Sequence, residues 1–133
     1  GFGRWVSHVE NKAPTERLRA YCFDFYMERL EAGIKLCPGG AITAAWPNLS
    51  EKVRRAVNRL FDAQQHFVEQ ALTDASSADS SDEGENFEET AIWFISCVQG
   101  AIVAARARGE QQLFERLCNR TLQQLSLGCE TNR

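Results

Sequence analysis

Positive charge is scarce in this chain: fifteen Lys and Arg face eighteen Asp and Glu, for a formal charge of -3. A surface that binds nucleic acid needs a basic excess to displace the counterions of the phosphate backbone. Direct DNA or RNA contact by these residues is therefore not expected. Long apolar runs are absent as well, since no uninterrupted stretch approaches the ~18 residues of a membrane span. The first residues, Gly1-Phe2-Gly3-Arg4-Trp5, contain no Met and none of the n-region and h-region pattern of a secretory signal. The expectation is a cytoplasmic segment cut from a longer chain, with no membrane partner.

Paired cysteines and histidines are lacking too. Cys22, Cys37, Cys97, Cys118 and Cys129 are odd in number, widely spaced and free of any C-x-x-C. They read as small buried hydrophobes in a reducing compartment. The two histidines, His8 and His66, stand at no ligand spacing from a cysteine pair, so no metal is expected. There is no Walker-type phosphate loop and no H-E-x-x-H. Nor is there a Ser/His/Asp or Cys/His set with its supporting motif. The chain is not read as an enzyme, and no cofactor is expected.

What the sequence does contain is helical periodicity. Pro14-Thr15 opens a helix that Gly33 closes. Its solvent stripe is narrow, limited to Arg17, Asp24, Glu28 and Glu31, so other elements should surround it. Cys37-Pro38-Gly39-Gly40 breaks the chain, and a short helix 41–46 stops at Pro47. Ser50 caps a long helix to about residue 74, striped by Val53, Val57, Leu60, Phe61, Gln64, Phe67 and Val68. Residues 74–86 read as a mobile acidic loop. A helix 87–108, apolar nearly all round, and a final helix of about 110–127 follow. No strand pattern appears. The fold class is all-α, a bundle of about five helices. Residues 1–13 read as the tail of a preceding segment, and 14–128 as the domain.

Two sets of candidate residues emerge. A ligand pocket needs aromatic walls and a few polar groups. Phe23, Tyr26, Met27, Trp46, Phe67, Trp93, Phe94 and Cys97 could supply the walls, although core packing explains each one alone. Gln64 and Arg29 are polar residues on apolar faces. A buried Arg29 needs a partner, either a carboxylate such as Glu69 or an anionic ligand. A dimer interface is the second expectation, because a helix apolar on every side exceeds what one short chain can cover. Its candidates are Gly100, Ala101, Ala104 and Arg108, with Leu113, Leu117, Thr121 and Leu125 on the last helix.

The segment Leu36-Cys37-Pro38-Gly39-Gly40-Ala41-Ile42-Thr43-Ala44-Ala45-Trp46-Pro47-Asn48-Leu49-Ser50 comes before the long helix. The segment Val98-Gln99-Gly100-Ala101-Ile102-Val103-Ala104-Ala105-Arg106-Ala107-Arg108-Gly109 follows the acidic loop. In this order they resemble the C-terminal domain of TetR-family transcriptional regulators, over roughly residues 14–127. The resemblance implies an effector-binding and dimerisation domain of a repressor. The last two long helices would pair with their copies in a homodimeric four-helix bundle. A small, largely apolar or aromatic effector would bind among the helices of each subunit. Operator DNA would be met only by an N-terminal helix-turn-helix head absent from this chain. The alternative is a standalone helical carrier or protein-interaction module without DNA binding.

Overall fold

A computed structural model of the chain describes residues 1–31, 46–77 and 86–125. Among these residues there are five helices and no strand. The first, α1, spans Phe2–Val9. Residues 1–13 were expected to trail from a preceding segment, yet they join the core of the domain. Phe2 and Val9 are buried, and the Phe2 ring lies 5.2 Å from Phe25 and 5.8 Å from Phe67.

The second helix, α2, is continuous through Pro14–Ala20, a π-helical stretch Tyr21–Tyr26, and Met27–Glu31. Pro14 sits at its start, where a missing N–H is harmless. In the π stretch the Met27 N–H reaches back five residues to the Cys22 carbonyl. The wider turn has a geometric consequence. Residues five apart lie about 140° apart on an α-helix, but only about 50° apart at roughly 4.4 residues per turn. Tyr21 and Tyr26 therefore share one face, directed at the interior. The same helix corrects the expected solvent stripe. Arg17 is buried, and its Nη2 donates to Asp74 Oδ2 at 2.7 Å while its Nε donates to the Lys12 carbonyl at 3.0 Å. A charge can leave water on those terms because a carboxylate meets it.

The expected break and short helix at 32–45 lie outside the described residues. Trp46–Asn48 forms a 3-10 turn, held by Arg54, whose Nε donates to the Trp46 carbonyl at 3.1 Å. Helix α3 then spans Glu51–Ser77. Ser50 caps it as expected, its Oγ accepting the Val53 N–H at 3.2 Å. Val57, Gln64, Phe67, Val68, Ala71 and Leu72 form its buried stripe. Val53, assigned to that stripe on periodicity, is 39% exposed, and the burial of the stripe begins one turn later at Val57. No Gly or Pro stops the helix at residue 74, and it runs on through Ser77; residues 78–85 of the acidic loop lie outside the described residues.

Helix α4, Glu88–Arg108, begins where Asn86 Oδ1 accepts the Glu88 N–H at 2.8 Å. It ends at Gly109, whose φ of 62° is the left-handed conformation a helix stop favours. Counting uninterrupted apolar residues overlooks one property of this helix. With 21 residues and a mean hydropathy of 1.4, it is long and apolar enough to cross a membrane by length and composition. Here its inner face, including Ala91, Phe94, Val98 and Ala105, serves as the wall of the core. Helix α5, Gln111–Gln124, turns back along α4 and buries Phe114, Cys118 and Thr121. The core lies between α2, α3, α4 and α5, with α1 closing one side.

Candidate functional site

At the centre of the core is a polar network. Gln64 on α3 is only 1% exposed. Its Oε1 accepts the Tyr21 hydroxyl, and also the Tyr26 hydroxyl at 2.8 Å. The Tyr26 oxygen in turn accepts from Gln99 Nε2 on α4 at 3.0 Å. A tyrosine hydroxyl can donate once and accept as well, which is what this relay requires. Left unpaired, a buried amide would cost about 1–3 kcal/mol; the two tyrosines of the π turn satisfy its oxygen. Three helices are thereby joined through one side chain. Around the network the rings pack edge to face, Tyr26 at 4.9 Å from Phe25 and 5.1 Å from Tyr21.

The ligand candidates separate into three environments. Tyr26, Gln64, Phe67 and Phe94 meet in this close-packed interior. Phe23 and Met27 instead face outward, onto a solvent-open cleft of about 540 Å³ between α2 and α5. Ala20 completes its apolar floor, and its rim carries Glu16, Asp24 and Glu115 together with Lys12, Arg19 and Asn119. The remaining candidates stand apart. Trp46 lies beneath Arg54, 5.8 Å from its guanidinium. Trp93 is 41% exposed on the outer side of α4, and Cys97 is half-buried.

Arg29 finds a different partner from the one expected. Its guanidinium lies 3.7 Å from the Phe25 ring centre, and its Nη1 donates to the Phe25 carbonyl at 2.9 Å. Glu69, the carboxylate proposed for it, takes a hydrogen bond from Gln65 Nε2 at 2.8 Å. An aromatic face and a backbone carbonyl suffice because Arg29 is only partly buried and keeps some water. Cys22 and Cys118 meet between α2 and α5. The hydrogen bond to Cys118, with burial, pushes the Cys22 thiol well above its ordinary 9.0.

Of the dimer candidates, Gly100 and Arg108 are exposed, Ala104 half-buried, and Leu113, Leu117 and Leu125 half-buried on α5 and its end. Ala101 and Thr121, at 3% and 8% exposure, are already covered by the chain itself and have no surface to offer a second copy. Periodicity had passed over the residues that do. Ile92, Trp93 and Val103 are 47%, 41% and 55% exposed on the outer face of α4, in line with Gly100. Ile92 and Val103 lie close to three full turns apart on α4, but a helix apolar on all sides gives no clue which face is free. Tyr21 was overlooked for a related reason, since α-helical projection separates it from Tyr26.

Residues 14–121 match the family described as Tetracyclin repressor-like, C-terminal domain. The chain belongs to this family. No curated protein and no solved structure matches the chain. The family match begins at Pro14, where α2 starts, and ends at Thr121 inside α5. It therefore takes in both walls of the cleft, the buried network and the outer face of α4. The all-helical class expected from the sequence is the class of this family.

Proposed function

We propose that the chain is the effector-binding and dimerisation domain of a TetR-type transcriptional regulator, acting as a repressor and as a homodimer. The observation that carries the dimer is the outer face of α4. Ile92, Trp93 and Val103 expose large apolar area in one stripe, and such stripes on a folded domain favour association. Gly100 adds an independent reason. A methyl group at Gly100 would meet nothing within 4 Å among the described residues. A mid-helix glycine costs about 1 kcal/mol relative to alanine, and no neighbour among the described residues requires it. A partner helix approaching closely at Gly100 accounts for it. The flanking Ala104, and Arg108 at the end of α4, extend the same face.

The effector half of the reading rests on the family and on the cleft. A cleft of about 540 Å³ falls within the roughly 300–1,000 Å³ of small-molecule sites. Phe23 and Met27 suit a largely apolar or aromatic effector. Operator DNA is assigned to a helix-turn-helix head N-terminal to Gly1 and to no residue of this chain. Reading the gene upstream of the Gly1 codon tests that assignment, and an open frame encoding no helix-turn-helix removes it. Analytical ultracentrifugation tests the dimer. The chain should sediment as a dimer, and Val103→Glu, which places a charge on the apolar stripe at its most exposed residue, should yield a monomer of unchanged helicity. A wild-type chain that remains monomeric at high micromolar concentration would falsify the homodimer.

A further inference from the structure

Two thiols take no part in the buried network or in the outer face of α4. Cys22 on α2 and Cys118 on α5 are both 0% exposed and free, and their thiols are hydrogen-bonded to each other. They are far apart in sequence, beyond the reach of the spacing rules that reveal chelating cysteines. Cys22 belongs to the π stretch, and its carbonyl closes the π turn by accepting the Met27 N–H. Such turns are frequent at functional sites. The pair stands directly behind the wall of the cleft. Phe23 follows Cys22 and Asn119 follows Cys118, and both of these neighbours line the cleft.

Few ions suit two sulfurs alone. Among the described residues no group of three or more His, Cys, Asp or Glu is placed to hold a metal ion. Structural zinc takes four ligands, and calcium and magnesium take oxygen. Thiolates select soft ions such as copper(I). Copper(I) and mercury(II) each accept two thiolates in a line. The bond between the two thiols already holds a hydrogen between the sulfurs, which is the position of the ion in a linear pair.

We propose that Cys22 and Cys118 form a two-coordinate site for a soft metal ion, copper(I) or mercury(II), that bridges α2 and α5. Two S–H bonds break, two sulfur–metal bonds form and two protons pass to the buffer, with no change of oxidation state. A disulfide between the same sulfurs fits less well, because it needs an oxidant and a reactive thiolate, and buried thiols are inert. The site depends neither on the effector reading nor on the dimer. Charge separates the two ions. Mercury(II) with two thiolates is neutral, whereas copper(I) leaves one negative charge away from water, which is costly unless a cation faces it. Arg19 is the cation whose charge acts on Cys22, so it should matter for copper(I) and not for mercury(II).

The test uses the full chain carrying Cys37→Ser, Cys97→Ser and Cys129→Ser, so that Cys22 and Cys118 are its remaining thiols. Copper(I), kept free of oxygen as its acetonitrile complex, and mercury(II) chloride are titrated separately, with circular dichroism to follow the fold. Each ion should bind once per chain and release about two protons, read by calorimetry in buffers of different ionisation enthalpy. X-ray absorption at the metal edge should show two sulfur neighbours and no nitrogen or oxygen. Cys118→Ser should lose this complex; if that variant does not fold, the absorption spectrum of the intact pair decides alone. Arg19→Ala should weaken copper(I) and leave mercury(II) unchanged. One sulfur neighbour, or the same complex in folded Cys118→Ser, overturns the pair as the ligand set. Equal loss of both ions in Arg19→Ala overturns the charge argument. Binding of one ion alone names that ion as the occupant and excludes the other, and binding of neither removes the site.

Discussion

Trp93 and Phe94 are neighbours in sequence with opposite surroundings. Phe94 is fully enclosed, whereas Trp93 keeps 41% of its surface. The same division runs along α4, with Ala91, Val98 and Ala105 inward and Ile92, Gly100 and Val103 outward. Helix α3 is built differently. Its outward positions carry Lys52, Arg55, Arg59 and Asp62, beside the exposed Val53 of its first turn. Helix α4 instead exposes Ile92, Trp93 and Val103 on its outer side. Both helices bury one stripe within the chain, and they differ in the chemistry of the other stripe, which is the difference the proposed dimer rests on.

The sharpest way to break this comparison is to truncate the two aromatic neighbours in turn. Phe94→Ala leaves a cavity in the interior and should cost about 3–5 kcal/mol in urea unfolding. Trp93→Ala removes area that the chain itself does not cover. At concentrations low enough to dissociate a dimer it should cost under about 1 kcal/mol, and its main effect should be weaker self-association. Equal losses for both variants in dilute solution would mean that the two faces of α4 are not different.

Much of this arrangement was legible in the sequence. The helices come from apolar spacing and from local signals that act alone, such as Pro14 at a start, the Ser50 cap and the Gly109 stop. Gln64 was identifiable as a polar residue in an apolar stripe. Its partners were not, because the π turn changes the angular spacing of α2 and brings Tyr21 beside Tyr26. Arg17 was misplaced because its partner, Asp74, is 57 residues away, and a one-helix projection knows nothing of a second helix. Trp93 was placed in the pocket because an apolar residue on an all-apolar helix carries no information about which side it faces. The local signals were readable and the long-range pairings were not.

The buried network offers a second, smaller contrast, between a polar and an apolar occupant of the same stripe. Gln64→Leu keeps the volume roughly constant but removes the acceptor shared by Tyr21 and Tyr26. Its expected cost is about 1–3 kcal/mol, that of burying polar groups whose partner is gone. Tyr26→Phe should cost about 1 kcal/mol and should also release Gln99. The two losses should not add, because both substitutions cut the same relay; a double-mutant cycle should return a coupling of about 0.5 kcal/mol or more. Strict additivity would show that α2, α3 and α4 are held together by packing alone.

The smallest effect concerns the seam between α2 and α5, where the comparison is between a paired thiol and a free one. The hydrogen bond to Cys118, together with burial, raises the Cys22 thiol in the folded chain, and the nearby Arg19 charge opposes this only in part. Below the unfolded value, near 9.0, both states keep the proton and the contribution to stability is constant. Above it the unfolded chain ionises first. The folded chain then holds more protons, and stability falls with rising pH by at most about 1.4 kcal/mol per pH unit until the folded thiol also ionises. Urea midpoints measured from about pH 8 to 10 should therefore fall more steeply for the native chain than for Cys22→Ala. The alanine variant will be less stable throughout, since it loses a fully buried side chain, so the diagnostic quantity is the difference in slope. Parallel slopes would mean that the Cys22 thiol ionises as readily in the folded chain as in the unfolded one, and that the contact with Cys118 is packing without a hydrogen bond.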